Sequence, residues 1–365
     1  MKTIIRGRFL IAALCTALVG AVIVVSFALI RAQSYENAQM NAAVAMKEAE
    51  QFIRDRMIER GIQAEPEDKD RIMLLGPEFS ELTTTPGEPQ DKRGCLNPNF
   101  AAAIVRYLHE AGLKKGDTVA VGTSGSYPGF LIATLIGATQ AGMKVRVIAS
   151  LGASMHGATR LDFTIFDFLD ALKDGGFADF ELAGISRGGK GDRGGSVLEG
   201  LYYEGTAELA GDICIAYSER TGVPYILCDT IGQSIEKRLE LFGEGIDMFV
   251  NVGGATVNNG AALENVATFP SGLVKHMEEI PDSPVRGLCY EYAAKGLPVL
   301  SLLYVKGLAE ENGISYNPFP MAEPGEGIEY KIVFEPLVTV LAAVCTALVL
   351  LAGIVDAVIR RRREK

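Results

Sequence analysis

Two long apolar runs lie near the ends of this 365-residue chain. Residues 9–30 contain no charged side chain, and residues 337–359 are interrupted only by Asp356. At about 1.5 Å per helical residue, each run would be about 33 Å long, which is enough to cross a hydrocarbon core of about 30 Å. The pattern predicts one transmembrane helix at each end of the chain.

A polar segment with a helical apolar stripe follows the first run. Within residues 31–73, apolar side chains recur at three- and four-residue spacing, at Ala42, Met46, Ala49, Ile53 and Met57. This spacing places them on one face of a helix. We interpret residues 31–73 as a helical stalk and linker that packs on a domain formed by residues 74–336.

Strand-like and helix-like segments alternate through the domain of residues 74–336. After a loop-like stretch over 74–96, Asn97 and Pro98 begin a helix. Strands are predicted at 118–122, 144–149, 181–185, 225–228, 248–252 and 299–303, and helices at 128–141, 198–220 (with a possible break at Gly205), 234–242 and 284–295. This alternation predicts an α/β domain with a mostly parallel, Rossmann-like sheet. Functional sites in such sheets form beyond the carboxyl ends of the strands.

The charges at the two tips predict the membrane topology. The tails 1–8 and 360–365 are basic, whereas most of the negative charge lies between the apolar runs. The positive-inside rule therefore places both tails in the cytoplasm and the main domain outside the cytoplasmic membrane. A cleaved signal peptide is the alternative for residues 9–30. Their length exceeds the apolar core of about 7–15 residues in signal peptides, which favours an uncleaved anchor.

Composition narrows the classes of partner. The net charge of −10 argues against nucleic acid as a partner. The absence of tryptophan does not favour a sugar-stacking surface. Four cysteines lie between the apolar runs, at Cys95, Cys214, Cys228 and Cys289, without C-x-x-C spacing. Free buried thiols are favoured over disulfides, although four cysteines in an oxidising compartment could pair. We expect neither a metal nor a cofactor.

The loop after the first predicted strand is rich in glycine and serine. It contains Ser124, Gly125 and Ser126 directly before a predicted helix. Backbone N–H groups in such a turn suit a carboxylate or phosphate, and an exposed serine suits a nucleophile. The loop matches neither a Walker A motif nor the nucleophile elbow G-x-S-x-G. A tight turn with capping serines is the alternative.

The next strand leads to further candidate catalytic residues. Ser154 and His156 follow it, and carboxylates lie nearby in sequence, including Asp192. A Ser–His–Asp arrangement would therefore draw on Ser124, Ser126 or Ser154 with His156 and Asp192. A loop histidine without a catalytic task is the alternative.

Two further loops predict substrate contacts. Residues 187–195 carry three cations among glycines, and residues 251–254 end another strand. Cations in a flexible loop can bind carboxylates, although such a loop can also be merely solvated. The predicted substrate-binding residues are Gly125, Arg187, Gly188, Gly189, Lys190, Arg193, Asn251, Gly253 and Gly254.

Five motifs resemble one bacterial family. Leu-Thr-Thr-Thr at 82–85, Asn-Pro-Asn-Phe-Ala-Ala at 97–102, VAVGTSGSYP at 119–128, SLGASMHGA at 150–158 and Asn-Val-Gly-Gly at 251–254 are similar to the poly-γ-glutamate system proteins. The resemblance covers essentially the whole chain. It implies a membrane protein that associates with the subunits that synthesise and export a poly-γ-glutamate capsule or slime. It implies no catalytic residue.

Three functions follow from these observations. The first is an accessory membrane component of poly-γ-glutamate synthesis and export whose outer domain binds the anionic polymer or its end. The second is a serine-dependent amide hydrolase or transferase acting on that polymer. The third is a solute-binding or sensor domain, against which the short tails count because they leave no signalling output.

Overall fold

The computed structural model describes residues 36–260 and 263–326, together with isolated positions near both ends. The chain divides into two compact units, one formed by Met1–Asn37 and Tyr330–Lys365 and the other by Ala38–Glu329. Apart from isolated positions, the runs 9–30 and 337–359 lie outside the described residues. Among the residues that the structure describes, no helix combines the length and apolar character needed to cross a membrane.

Helix α1 covers residues 36–59 and buries the predicted apolar stripe. Ala42, Met46, Ala49 and Ile53 are fully buried and Met57 is 1% exposed. Their three- and four-residue spacing places all five on one side of the helix. Helix α1 is therefore part of the core of the compact unit.

Truncating one side chain of this stripe is expected to destabilise the domain. Ile53→Ala removes a fully buried side chain and should lower the free energy of unfolding by about 2–4 kcal/mol. Ile58→Ala, on the outer face of α1, removes a side chain that is 49% exposed and should cost less than about 0.5 kcal/mol. Urea unfolding of the full chain in mild detergent, followed by circular dichroism, measures the difference. Equal losses would show that α1 is not integrated into the core.

The remaining elements alternate along the chain. The strands are β1 (Thr83–Thr85), β2 (Thr118–Ser124), β3 (Lys144–Ser150), β4 (Ala153–Ser154), β5 (Glu181–Ser186), β6 (Met248–Val252), β7 (Gly272–Val274) and β8 (Val299–Leu302). The helices are α2 (Pro89–Gly94), α3 (Asn99–Glu110), α4 (Pro128–Gln140), α5 (Ile165–Asp174), α6 (Thr206–Thr221), α7 (Ile231–Phe242), α8 (Thr256–Asn259), α9 (Leu288–Ala294) and α10 (Val305–Asn312).

The main sheet is mostly parallel, which confirms the predicted α/β class. Its strand order is β5-β3-β2-β6-β8-β7, and only the edge strand β7 runs antiparallel to its neighbour. The chain moves outward from β2 through β3 to β5 and then returns to β6 on the other side of β2. A topological switch point therefore lies between β2 and β6, where ligands bind in open α/β sheets.

Register brings the carboxyl ends of the central strands together. Ser124 of β2 pairs with Ser150 of β3, and Thr123 pairs with Val252 of β6. All of β6 and all of β2 after its first residue are buried, as expected of central strands covered on both faces. The loops that leave these three strands must share one edge of the sheet.

The predicted loop over 74–96 contains two elements. Strand β1 pairs with β4 in a separate two-stranded parallel sheet, and helix α2 begins at Pro89, whose fixed φ suits the first turn of a helix. Both elements are short and carry no periodic apolar pattern, so the sequence gives no local signal for them. Strand β1 is stabilised by its pairing with β4, which lies far away along the chain.

Among the predicted elements whose bounds differ from the structure, three differ most. The strand predicted at 225–228 is a single bridge between Tyr225 and Ile185. The helix predicted over 198–220, with a break at Gly205, is helical only from Thr206 onward, because Gly205 adopts a left-handed φ of 69°. The helix predicted over 284–295 begins at Leu288, after Gly287 with a φ of 89°. Positive φ values are incompatible with a continuing helix.

Candidate functional site

The three candidate serines lie in one chain of hydrogen bonds at the carboxyl edge of the sheet. The N–H of Ser154 donates to Ser126 Oγ over 3.1 Å, and the N–H of Ser126 donates to Ser124 Oγ over 3.4 Å. Gly125 donates its own N–H to the carbonyls of Ser150 and Gly152. The loops after β2 and β3 are thereby held against each other, as their strand neighbourhood predicted.

The two-stranded sheet of β1 and β4 brings helix α2 close to Ser154. Thr85 of β1 pairs with Ser154 of β4, and the N–H of Met155 donates to the carbonyl of Thr85 over 3.0 Å. Helix α2 follows β1 after a short turn, and one of its side chains, Lys92, contacts Ser154.

Lys92 makes a direct contact with Ser154. Its Nζ lies 2.6 Å from Ser154 Oγ and 3.5 Å from the centroid of the Tyr127 ring. Lys92 is only 2% exposed. A Cβ at Gly87 would lie 3.1 Å from Lys92 Cε and 3.3 Å from Ser154 Cβ. The absence of a side chain at Gly87 therefore permits the contact.

Burial changes the protonation of Lys92. Removal from water lowers the pKa of its amine from 10.5 to about 8, and this effect exceeds the opposing influence of Cys95 and Asp91. Burial also raises the pKa of the Tyr127 phenol, so that ring stays neutral and presents its π face to the amine. A neutral lysine amine beside a serine hydroxyl can accept its proton.

The N-terminus of α4 is occupied by a thiol. The backbone N–H groups of Gly129 and Phe130 bond to the sulfur of Cys95, and burial raises the pKa of that thiol to about 12. A Cβ at Gly129 would lie 2.4 Å from the carbonyl oxygen of Cys95, so the two segments are in close contact. The N–H groups of Gly129, Phe130 and Gly125 are therefore engaged within the fold and are not available to bind an anion at this loop.

His156 is not the base of a triad here. It adopts a left-handed φ of 60°, and its backbone N–H donates to the carbonyl of Pro77. The side chain is buried, and its Nδ1 has no hydrogen-bond partner within the described part of the chain. The predicted Ser–His–Asp arrangement is therefore absent from the described residues, and Lys92 stands where a base for Ser154 is needed.

Asp192 belongs to a separate buried cluster. Its carboxylate accepts hydrogen bonds from Ser186 Oγ at 2.7 Å and from Ser234 Oγ at 2.6 Å, and it forms an ion pair of 2.9 Å with Arg238. The side chains of Arg238 and Asp192 are 0% and 4% exposed. Asp192 therefore fixes the loop over 187–195 to the sheet and to α7.

The cations of the basic loop differ in exposure. Arg187 Nε donates to the hydroxyl of Tyr225 over 2.5 Å, and the guanidinium packs against Gly211 of α6. Gly188 and Gly189 both have positive φ values, near 70°, which glycine adopts without strain. Lys190 and Arg193 are exposed and leave their charges to solvent. Only these two remain suited to the predicted contact with substrate carboxylates.

The loop after β6 completes this edge of the sheet. Asn251 Nδ2 donates to the carbonyl of Gly253 and to Ser301 Oγ. A Cβ at Gly253 would lie 3.0 Å from Ser124 Oγ, so the β6 loop touches the β2 loop at the switch point. Gly254 follows in the same turn. Asn251 therefore shapes the turn that borders the serines.

Sequence reasoning missed Lys92 and Tyr127. Lys92 stands beside Asp91 and Arg93 in a polar stretch, which is the usual composition of a solvated turn.

Among the described residues, no cluster of three or more His, Cys, Asp or Glu side chains is arranged to hold a metal ion. Comparisons with protein families, with curated proteins and with solved structures gave no match to this chain.

Proposed function

We propose that this chain catalyses acyl transfer at an amide carbonyl, with Ser154 as the nucleophile and Lys92 as its general base. One observation carries the proposal: the Lys92 amine, whose pKa burial lowers to about 8, lies 2.6 Å from Ser154 Oγ. A serine hydroxyl becomes nucleophilic when a neighbouring group can take its proton. Lysine serves as that group when its pKa is close to the working pH.

The proposed reaction needs only these two side chains for its proton transfers. The neutral Lys92 amine takes the Ser154 Oγ proton as that oxygen bonds to the carbonyl carbon. The Lys92 ammonium gives the proton to the amide nitrogen as the C–N bond breaks, which leaves acylated Ser154 and a free amine. Water or a second amine then attacks the acyl carbon and gives a proton to Lys92. That proton returns to Ser154 Oγ as it leaves, so water yields hydrolysis and an amine yields transfer.

Poly-γ-glutamate is the substrate that we propose, at the outer face of the cytoplasmic membrane. Two of the motifs that resemble the poly-γ-glutamate system proteins, at 119–128 and 150–158, contain Ser126 and Ser154. Exposed Lys190 and Arg193 would attract the carboxylates of the polymer. The runs 9–30 and 337–359 would anchor the domain beside the synthase and export subunits, with both tails cytoplasmic.

A non-catalytic accessory role is the second candidate, and the low exposure of the pair favours it. Ser154 is 6% exposed and Lys92 is 2% exposed. In this role the Lys92–Ser154 contact only joins α2 to β4, and the domain binds the polymer or its end without cleaving it. A covalent test of Ser154 separates the two candidates.

The proposed function predicts a covalent adduct on Ser154. The full chain in mild detergent is incubated with poly-γ-glutamate and, separately, with a fluorophosphonate, and mass spectrometry locates the modified peptide. We expect shortened or transferred polymer and an adduct on Ser154, both lost in Ser154→Ala. The matched control is Ser218→Ala, which removes a half-buried hydroxyl on α6 that donates to the Val223 carbonyl. Unchanged polymer length together with an unmodified Ser154 at pH 7–9 would establish the accessory role instead.

A further inference from the structure

The segment 315–317 holds helix α2 by two side-chain hydrogen bonds. The hydroxyl of Tyr316 donates to Asp91 Oδ1 over 2.6 Å. Asn317 Oδ1 accepts a hydrogen bond of 2.6 Å from Arg93 Nη1. Asp91 and Arg93 are the two sequence neighbours of the proposed general base. At about 3.6 residues per turn, they leave the helix about 100° to either side of that base. The segment therefore holds α2 on both flanks of the lysine.

The back of α2 is packed against the same segment. Position 94 lies about 200° around the helix from position 92. A Cβ at Gly94 would lie 3.3 Å from both Tyr316 Cε2 and Val305 Cγ1, so the tyrosine ring and α10 closely approach the helix backbone. Directly after α2, Asn97 Nδ2 donates to the carbonyl of Ser315 over 3.2 Å. These contacts fix how far α2 can withdraw from the serine loops.

Helix α2 cannot hold Lys92 in place by itself. It has six residues, well below the roughly 12–15 that an isolated helix needs in water. Burial lowers the pKa of the Lys92 amine to about 8, so the charged amine is less stable in this place than in water. The titratable groups around the amine are Asp91, Cys95 and Tyr127, and burial raises the pKa of the last two. Lys92 would turn towards water if its helix were released.

We propose that the segment 315–317 positions Lys92 against Ser154. Tyr316 and Asn317 are positioning residues, which act through α2 and not through contact with a reacting atom. Held in this way, the Lys92 amine stays 2.6 Å from Ser154 Oγ. Released, it gains water and keeps its proton near neutral pH, so it no longer accepts the serine proton. This role rests on the proposed function, because Lys92 is the general base there.

Two substitutions release α2 from the segment. Tyr316→Phe removes the hydroxyl, and Asn317→Gly removes the acceptor while allowing the φ of 50° found at this position. Arg93 keeps its ion pair with Asp70 in both variants, so the domain should stay folded. Asn317→Asp keeps an acceptor oxygen for Arg93 and is the conservative variant. The matched control is Tyr290→Phe, which removes a partly buried hydroxyl bonded to a backbone carbonyl elsewhere.

Trace acetylation of Lys92 reports the protonation of its amine directly. The full chain in mild detergent is labelled between about pH 6 and pH 11, and mass spectrometry quantifies the modified peptide. The wild type, Asn317→Asp and Tyr290→Phe should show a midpoint near pH 8. The double variant Tyr316→Phe/Asn317→Gly should show a midpoint of about 9 or above, because the amine regains water. Asn317→Gly alone leaves Asp91 hydrogen-bonded, so a rise there cannot come from the charge of Asp91.

The outcomes separate this inference from the proposed catalysis. A midpoint near pH 8 in the double variant, or near 10.5 in the wild type, would overturn the positioning role. If circular dichroism shows that the double variant is unfolded, the two single variants are judged by the same midpoint. Fluorophosphonate adduct formation on Ser154 at pH 7 should slow by at least about 10-fold, since one pKa unit lowers the neutral fraction about 10-fold. A wild type without any adduct would refute the catalysis alone, because the Lys92 midpoint does not depend on it.

Discussion

Replacing Lys92 by methionine is expected to slow acylation of Ser154 by about 10²–10⁴-fold, the usual contribution of a general base. Methionine keeps an unbranched side chain and removes the amine that lies 2.6 Å from Ser154 Oγ. Lys92→Arg is expected to be equally slow, because a guanidinium keeps its proton at every working pH. The rate of fluorophosphonate adduct formation on Ser154, followed by mass spectrometry, measures both variants.

The pH profile separates a base from a structural contact. Burial lowers the pKa of Lys92 to about 8, so the wild-type acylation rate should rise as the pH passes through about 8 and then level off. Both variants should lose this rise. If Lys92 only links α2 to β4, Lys92→Arg would react at the wild-type rate and the inflection near pH 8 would be missing.

The same substitution is expected to stabilise the fold at pH 7. The folded-state pKa of Lys92 is depressed from 10.5 to about 8, so the charged form is disfavoured in the folded state by roughly 3 kcal/mol. Lys92→Met removes this cost and loses a hydrogen bond worth about 1 kcal/mol, for a net gain of roughly 2 kcal/mol. Between pH 8 and 10.5 the unfolded chain binds more protons than the folded chain, so the stability of the wild type rises with pH. The stability advantage of Lys92→Met over the wild type should therefore disappear across this range. Pulse proteolysis at pH 7 and pH 10 measures the change.

The sheet could be predicted from sequence because buried parallel strands have a strong local pattern. The sequence predicts a strand at 248–252, which is where β6 lies, and the end of β3 differs from its prediction by one residue. Strand β6 is a short, largely apolar run bounded by turns, which is what a strand covered on both faces requires. The right-handed crossover rule restricts the possible strand orders but does not select one, so the order β5-β3-β2-β6-β8-β7 comes from the structure alone.

The candidate site could be predicted only in part. The serines were found because the loops after neighbouring parallel strands share one edge of the sheet. Lys92 could not be predicted, because its contact with Ser154 depends on the pairing of β1 with β4. The two residues are 62 positions apart along the chain. A three-residue strand and a six-residue helix leave no local pattern that records such a pairing.

The expected contact of Asp192 with His156 is also wrong, because the actual partner of Asp192 is distant in sequence. It follows His156 in sequence, yet its partner Arg238 comes 46 residues later, on α7. Arg238 shares the buried face of that helix with Ile235, where the helical pattern alone would place an apolar side chain. A buried arginine at an apolar position indicates a buried acidic partner, and this is the signal that could have located Asp192.

Removal of Arg238 is therefore expected to destabilise the domain strongly. Arg238→Ala should lower the free energy of unfolding by about 3–5 kcal/mol, because it leaves the carboxylate of Asp192 buried without its cation. Arg238 Nη2 also donates to Ser150 Oγ and Ser186 Oγ, and both hydroxyls would lose that donor. The matched control is Arg220→Ala on α6, whose ion pair with Asp170 is largely exposed and should contribute about 0–1 kcal/mol. Urea unfolding of the full chain compares the two.

A double substitution distinguishes the stranded charge from lost packing. Asp192→Asn removes the acidic partner, so Arg238→Met combined with Asp192→Asn should recover part of the stability that Arg238→Met alone loses. The coupling between the two positions should be about 0.5–3 kcal/mol, since contacting residues are not additive. Strictly additive losses would mean that the volume of the arginine, and not its charge, stabilises the cluster. Such a result would leave the loop over 187–195 held by hydrogen bonds to Ser186 and Ser234 alone.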